Sequence, residues 1–202
     1  MTAFTHQQYA SSYVVMGDQA SVLSEIFHSE TQIVIWHQQM SDLAIRYAES
    51  FQQLHRHFSI REILAPEALG DYLKLQLRDG EGKEDLVEAI ETLAEMFCYL
   101  FELRALGFRM QLLDRAMCPR FHRDQVPCRL VMTLRGPATH WLSPEQISDK
   151  DPVDAFNQLD TGDIALLKGA GWYGNQDKGV MHRSPAVPLN DWRLFLSMDF
   201  AN

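Results

Sequence analysis

Apolar residues in the first half of the chain recur at the spacing of amphipathic helices. Ser41 is a favourable N-cap, and after it one face of a helix carries Leu43, Tyr47, Phe51, Leu54 and Phe58. A longer helix is predicted from about Glu84 to Leu106, with Gly107 as its stop. Its apolar stripe is separate from a face of glutamates. The continuous apolar run Ile33–Trp36 indicates a buried strand.

After Gly107 the pattern changes from helical spacing to strict alternation. Apolar residues occupy every second position in three stretches, at 108–112, 130–134 and 192–200, and 164–167 is a short buried run. Short strands separated by Gly and Pro turns are typical of a sandwich or jelly roll. The sequence therefore predicts an α+β protein. Its core would be a cupin-like double-stranded β-helix (jelly roll) at residues 108–202, with a helical N-terminal part, residues 1–107, packed on it.

The composition limits the kinds of binding partner and the cellular compartment that fit this protein. The chain has 202 residues and a net charge of −9, which fits one domain and argues against nucleic acid as a partner. Three cysteines without disulfide spacing favour a reducing compartment. Met1–Gln19 lacks the features of a signal peptide, and glutamates interrupt the apolar segment Leu86–Leu106. We expect a cytoplasmic protein that does not contact membranes. The sequence carries no signal for oligomeric state.

The residues that suggest chemistry begin with His122 and Asp124. Pro119 and Pro127 bracket the pair and favour extended backbone, in which residues two apart share a face. A second imidazole, His182, lies in another short extended stretch. Two histidines and one carboxylate with open positions form the facial triad of non-heme iron(II) sites, so we predict His122, Asp124 and His182 as metal ligands and catalytic residues. The alternative is two hydrogen-bonded core histidines and a turn aspartate.

An arginine that could bind a carboxylate follows the second histidine along the chain. Arg193 lies eleven residues after His182, on the strand face opposite the Trp192–Phe200 apolar stripe. A guanidinium meets a carboxylate with two parallel hydrogen bonds, although a salt bridge to Asp191 or Asp199 is the alternative. Six arginines and only two acids lie between residues 108 and 136, which suggests a bound anion nearby. Some of these arginines are expected on solvated strand edges, and at most two should face the site.

The motif Phe121-His122-Arg123-Asp124, followed by His182 and Arg193, resembles that of iron(II)/2-oxoglutarate-dependent dioxygenases. The resemblance covers about residues 108–200. It implies that Fe(II) binds to the three ligands and that Arg193 clamps the distal carboxylate of 2-oxoglutarate, an anionic cosubstrate. Many such enzymes carry Arg-x-Ser, whereas here the serine follows at Ser197. The further candidates for the cofactor-binding pocket are Arg129, Thr133, Ser197 and, in its wall, Trp141.

Nearly the whole chain also resembles a bacterial family, the domain of unknown function 1826. The segments that carry this resemblance are Cys118–His122, Cys128–Leu130, Arg135–Pro137, Gly162–Gly169 and His182–Pro185. The resemblance to that family implies a link to metal homeostasis. The first hypothesis is a dioxygenase (hydroxylase) acting on a small molecule or peptide. The alternatives are a non-catalytic zinc- or iron-binding protein of the same fold and a cupin-like isomerase that uses its metal as a Lewis acid.

Two further motifs have competing interpretations. Cys118, His122 and Cys128 could form a zinc site, because thiolate and imidazole together prefer zinc, but such a site leaves Asp124 and His182 unexplained. The run 169–174 matches G-x-G-x-x-G, yet the glycine and prolines that follow forbid the helix that a dinucleotide site needs. It is predicted to be a mobile loop closing over a ligand through Trp172 or Tyr173, or a plain turn. His55 and His57 diverge on a helix and are interpreted as structural.

Overall fold

Strands and helices are interspersed along the chain in the computed structural model, which describes residues 12–38, 40–147 and 155–201. The α-helices are α1 (Asp42–Leu54), α2 (Pro66–Gln76) and α3 (Lys83–Leu100), and short 3-10 helices span Ala20–Phe27 and Pro144–Gln146. The strands are β1 (Val14–Gly17), β2 (Ile33–Trp36), β3 (Ser59–Leu64), β4 (Leu106–Leu113), β5 (Cys128–Arg135), β6 (His140–Trp141), β7 (Asn157–Gln158), β8 (Ile164–Lys168), β9 (His182–Arg183) and β10 (Arg193–Phe200). Residues 1–11, part of the segment tested for a signal peptide, lie outside the described residues.

The strands form two sheets of unequal size. Seven of them make a large sheet in the order β1-β2-β8-β5-β10-β4-β3, in which every neighbouring pair except β1 and β2 is antiparallel. The order of the small sheet is β7-β6-β9, and His122 adds an isolated antiparallel bridge to β9 at His182. A small apolar core that includes Val131, Trp141 and Phe195 lies between the sheets. Two facing sheets around a shared core are what a jelly roll requires.

The large sheet separates this inner core from a larger outer core. Along β10 the residues Leu194, Leu196 and Met198 join the outer core, which also contains the buried faces of α1 and α3. The intervening positions, Arg193, Phe195 and Ser197, therefore face the small sheet, because successive side chains of a strand point to opposite faces. The alternation in the sequence thus separates a helix-covered face from a face that carries polar groups.

The two predicted helices begin where the sequence predicts and end earlier than it predicts, and α2 was not predicted. The helix α1 ends at Leu54, so Phe58 lies outside it. The Ser41 hydroxyl accepts a hydrogen bond from the Ala44 amide at 3.1 Å, which confirms the predicted N-cap of α1. The predicted end of α3 at Leu106 is wrong, because the helix finishes at Leu100. Glu102 has a positive φ of 55°, and the Leu103 amide donates to the Cys98 carbonyl at 2.8 Å, so the chain reverses there. Gly107 consequently lies inside β4.

The segment before residue 108 is more than a helical layer. It supplies β1, β2 and β3 to the large sheet and also the start of β4. The predicted division between residues 107 and 108 therefore falls within a strand, and only Ile33–Trp36 of the early strands was predicted. β3 escaped notice because it is an edge strand with an exposed, partly charged sequence and no apolar alternation.

None of the helices in the described ranges is long and apolar enough to cross a membrane.

His55 is a buried structural residue, as the sequence interpretation holds. Its ring stacks on Phe51 with centroids 4.3 Å apart, and its Nε2 accepts the Arg78 backbone N–H at 3.4 Å. Burial and then the charge of Arg78 lower the pKa of His55. His57 lies two residues on and is exposed, so the two histidines do not share a site.

The lowered pKa of His55 predicts a pH-dependent stability. The unfolded chain takes up a proton near pH 6.5 whereas the folded protein does so only at lower pH. The free energy of unfolding should therefore fall as the pH decreases below about 6.5. We expect His55→Gln to flatten this decline between about pH 7 and pH 5 in urea titrations, and His57→Gln to leave it as in the wild type. An unchanged slope in His55→Gln would contradict the prediction.

Candidate functional site

A pair of backbone hydrogen bonds brings the two distant histidines together. The amide of His122 donates to the carbonyl of His182 at 3.0 Å, and the amide of His182 donates to the carbonyl of His122 at 3.0 Å. Residues that exchange two such bonds are directly opposite in an antiparallel pair, so their side chains leave on the same face. The two imidazole centroids are 4.6 Å apart.

Asp124 completes the group of three that the sequence predicted. One ligand atom from each of His122, Asp124 and His182 lies within 4.8 Å of the others, and no further group of this kind is found in the ranges described above. His182 Nε2 is 3.3 Å from Asp124 Oδ2, and His122 Nε2 is 3.7 Å from Asp124 Oδ1. The structure brings the three side chains together, while their role as metal ligands stays a prediction.

The tautomers of the two histidines suit a cation. His122 Nδ1 lies 3.0 Å from the carbonyl oxygen of Arg120, and His182 Nδ1 lies 3.1 Å from that of Val180. A carbonyl only accepts, so both Nδ1 atoms carry hydrogen and both Nε2 atoms point at the carboxylate. With hydrogen on Nδ1, each Nε2 has a lone pair with which to bind a cation next to Asp124. The donor set of two imidazoles and a carboxylate therefore fits a divalent cation.

Arg129 holds the carboxylate from the other side. Its Nη1 donates to Asp124 Oδ2 at 2.6 Å, and its Nε and Nη2 donate to the two oxygens of Asp199 at 2.6 and 2.9 Å. Burial raises the pKa of Asp124, but the hydrogen bond and charge of His182, with the charges of Arg129 and His122, bring it below its usual range. Asp124 is thus an anion, and Arg129 lies beside it rather than beside Arg193.

Arg193 is a buried guanidinium that has no carboxylate partner among the described residues. It is 1% exposed, and its Nη1 and Nη2 donate to the hydroxyls of Ser184, Thr133 and Thr139 at 2.9 to 3.0 Å. Its Nε has no hydrogen-bond partner within the described part of the chain. Burial lowers the pKa of Arg193 to about 10. The alternative of a salt bridge is wrong, because Asp191 pairs with Arg135 and Asp199 with Arg129.

One cavity of about 120 Å³ joins the three candidate ligand side chains to Arg193. Its lining also includes Ser197, Phe195, Thr139, Ser184 and two of the six arginines noted in the sequence, Arg109 and Arg129. Thr133 reaches this region only through its bond to Arg193, and Trp141 belongs to the inner core. Sequence reasoning missed Ser184 and Thr139. Ser184 follows His182 by two residues in extended backbone, which was a usable signal, whereas Thr139 had none.

The zinc site of Cys118, His122 and Cys128 is not formed. Cys128 is buried in the outer core, on the helix-covered face of β5, whereas His122 faces the cavity. Burial strongly raises the pKa of the Cys128 thiol, which opposes the thiolate form that zinc requires. Cys118 is exposed at the cavity mouth without a second thiol.

The glycine-rich run supports Asp124 instead of covering the site. The amides of Gly169 and Ala170 donate to the carbonyls of Pro127 and Asp124, both at 2.8 Å. A Cβ on Gly169 or Gly171 would overlap the backbone oxygens of residues 125 and 126. The predicted closing residues lie elsewhere: Trp172 packs on Phe27 and Phe101, and Tyr173 is 99% exposed.

A family model described as "Protein of unknown function (DUF1826)" matches residues 17–199. The chain belongs to this family. A search of curated proteins finds none whose sequence is significantly similar to this chain.

Solved structures with the same fold are distant in sequence. The 2-oxoglutarate complex of dioxygenase for auxin oxidation 1 from Arabidopsis thaliana is 11% identical, with 94% of this chain and 92% of that chain covered and a TM-score of 0.57. A full-length Neurospora crassa protein in complex with alpha-KG is 8% identical, with coverage of 94% and 84% and a TM-score of 0.53. A bsmA homolog from Methylobium petroleophilum is 13% identical, with 96% of each chain covered and a TM-score of 0.50. At these identities the likeness shows a shared fold.

The glycine contacts predict that Gly171→Ala weakens the support of Asp124. The added methyl group must displace the backbone of residues 125–127, and overpacking of this kind costs about 1–3 kcal/mol. We expect a lower melting temperature and weaker Mn²⁺ binding, measured by thermal unfolding and metal titration. Gly107→Ala is the matched control, since its Cβ meets atoms no closer than 3.7 Å. Equal behaviour of the two variants would contradict the role given to this loop.

Proposed function

We propose that this protein is a non-heme iron(II)/2-oxoglutarate-dependent oxygenase built on a double-stranded β-helix. His122, Asp124 and His182 would hold Fe(II), and Arg193 would bind the distal carboxylate of 2-oxoglutarate. The observation that carries the proposal is the buried Arg193 guanidinium. Its hydrogen-bond partners among the described residues are hydroxyls and not carboxylates, and it shares its cavity with the two imidazoles and the carboxylate.

The metal assignment rests on the kind of donors present. Two imidazole nitrogens and one carboxylate oxygen match the facial triad of iron(II) oxygenases, which leaves positions for other ligands. A structural zinc site would be closed by four protein ligands, often thiolates, and no thiol belongs to this group. Arg129 donates a hydrogen bond to Asp124 Oδ2 and so helps to orient the carboxylate beside the two imidazoles.

The residues of the chain divide the work of binding and orientation. When bound, iron and 2-oxoglutarate would supply oxidising chemistry in which O₂ hydroxylates a substrate C–H bond while the 2-oxo acid becomes succinate and CO₂. Arg193 would orient the 2-oxo acid through a two-pronged contact, and Thr133, Thr139 and Ser184 keep its guanidinium in place. The carbonyls of Arg120 and Val180 hold the protons on Nδ1, so that both Nε2 atoms are free to bind.

Arg193 also separates this proposal from one of its alternatives. A non-catalytic zinc- or iron-binding protein of metal homeostasis needs the three ligands but has no need of a buried guanidinium beside them. An isomerase with a Lewis-acid metal would use such a guanidinium for an anionic substrate, and decarboxylation of 2-oxoglutarate without substrate distinguishes the oxygenase from it. A small-molecule or peptide substrate and a cytoplasmic location remain part of the proposal, and the net charge of −9 argues against nucleic acid.

The first test removes ligands. We expect His122→Ala and Asp124→Asn to lose iron after anaerobic purification and to form no succinate from 2-oxoglutarate, because three protein ligands are needed to keep the metal. His57→Ala, an exposed histidine outside the site, should behave as the wild type. The proposal fails if wild type and His122→Ala convert 2-oxoglutarate at the same background rate.

The second test removes the guanidinium. We expect Arg193→Met to weaken binding of 2-oxoglutarate to the Mn²⁺-loaded protein about 100-fold, since two charge-assisted hydrogen bonds are lost, and to leave Mn²⁺ affinity unchanged. Arg193→Lys should be intermediate, because an ammonium lacks the fork. Arg46→Met, on the exposed face of α1, is the control. Calorimetry measures the affinities for Mn²⁺ and for 2-oxoglutarate. Loss of Mn²⁺ binding in Arg193→Met would assign Arg193 a structural role instead.

A further inference from the structure

Two arginines lie directly opposite each other at one side of the candidate site. In the register of the large sheet, Arg61 on β3 pairs with Arg109 on β4, and Arg109 pairs in turn with Ser197 on β10. Ser197 lines the cavity, so this row of side chains leads from the cavity to the edge of the sheet. Like charges at directly opposed positions destabilise a sheet, so the presence of this arginine pair calls for an explanation.

The acids in the described part of the chain do not neutralise this pair. Neither Arg61 nor Arg109 forms an ion pair with any described residue, and the polar contact of the Arg109 guanidinium is the Met117 sulfur at 3.8 Å. Asp199 is occupied by Arg129, and Glu62, next to Arg61 in β3, lies beside Tyr72. Charged residues on edge strands prevent edge-to-edge association, which would account for Arg61. Arg109 lies on an interior strand, where that explanation does not apply.

A wide cleft runs over both arginines. It has a volume of about 700 Å³ and shares Arg109 and Arg129 with the smaller cavity of the site. Its apolar lining includes Val126, Phe200 and Ile63, and Ile63 is 69% exposed. The cleft therefore combines apolar surface with two arginines that have no ion-pair partner among the described residues, and its lining also includes the acids Glu62 and Asp199. Through Arg109 and Arg129 it adjoins the smaller cavity lined by His122, Asp124 and His182.

We propose that Arg61 and Arg109 bind an anionic group, a carboxylate or a phosphate, of an organic molecule whose apolar part lies over Ile63. That this molecule is the substrate rests on the proposed function, whereas the anion site itself does not. Arg61 is two strand spacings from Ser197, roughly 10 Å. A substrate held in this way would present to the site a carbon several bonds away from its anionic group.

Matched pairs of probes test the anion site directly. Phenylacetate and phenyl phosphate are the anionic probes, and phenylacetamide and phenol are their neutral counterparts. We expect saturable binding of at least one anion by calorimetry, with its neutral counterpart at least tenfold weaker. The better anion tells a carboxylate site from a phosphate site. Arg61→Gln and Arg109→Gln should each weaken anion binding about 10- to 100-fold and leave the neutral probe unchanged.

Controls separate this site from the net charge and from the 2-oxoglutarate site. Arg46→Gln makes the same change of charge on α1, on the other side of the sheet, and should leave anion binding unaffected. Arg61→Gln should retain 2-oxoglutarate binding, and Arg193→Met should retain probe binding. The inference is overturned if neither anion binds saturably, if the neutral probes bind equally well, or if Arg46→Gln weakens binding as much as Arg61→Gln.

Binding is measured with and without Mn²⁺ and 2-oxoglutarate, so that the two proposals can fail separately. Anion binding that depends on Arg61 and Arg109, in a protein that binds neither Mn²⁺ nor 2-oxoglutarate, would support the anion site and refute the oxygenase. The reverse result would refute the anion site and leave the oxygenase standing.

Discussion

The candidate site depends on the short antiparallel bridge between His122 and His182. Two reciprocal hydrogen bonds place opposite each other two residues that are 60 positions apart, so both imidazoles emerge on one face. Asp124 follows two residues later in extended backbone, and the glycine-rich run packs against the segment behind it. Backbone pairing therefore fixes the directions in which the two imidazoles leave the chain.

Charge is compensated at one end of the cavity and not at the other. Asp124 is a buried anion held by Arg129 and two imidazoles, whereas Arg193 is a buried cation surrounded by hydroxyls. Burial of an unpaired charge destabilises a fold, and a bound anion would offset that effect. The cavity thus has a carboxylate and two imidazoles at one end and a buried, positively charged guanidinium at the other.

Features that follow from periodic or local residue patterns were predicted from the sequence. Features that depend on contacts between distant segments were missed. Residue spacing selected His122, Asp124, His182 and Arg193, because alternation along a strand decides which side chains share a face. The same rule could have placed Cys128 on the helix-covered face, since its neighbour Arg129 faces inward.

Other features could not be read from the chain. β3 has no apolar alternation because one of its edges is free, and α3 ends before its apolar pattern does because a left-handed residue at Glu102 reverses the chain. The hydroxyl surroundings of Arg193 come from four separate segments of the chain, and only the folded structure assembles them. The last strand, β10, lies between β5 and β4 in the middle of the large sheet. A polypeptide interrupted before Arg193 would therefore leave two half-sheets, each with an apolar unpaired border, and would tend to aggregate during biosynthesis rather than persist as a shortened, merely inactive form.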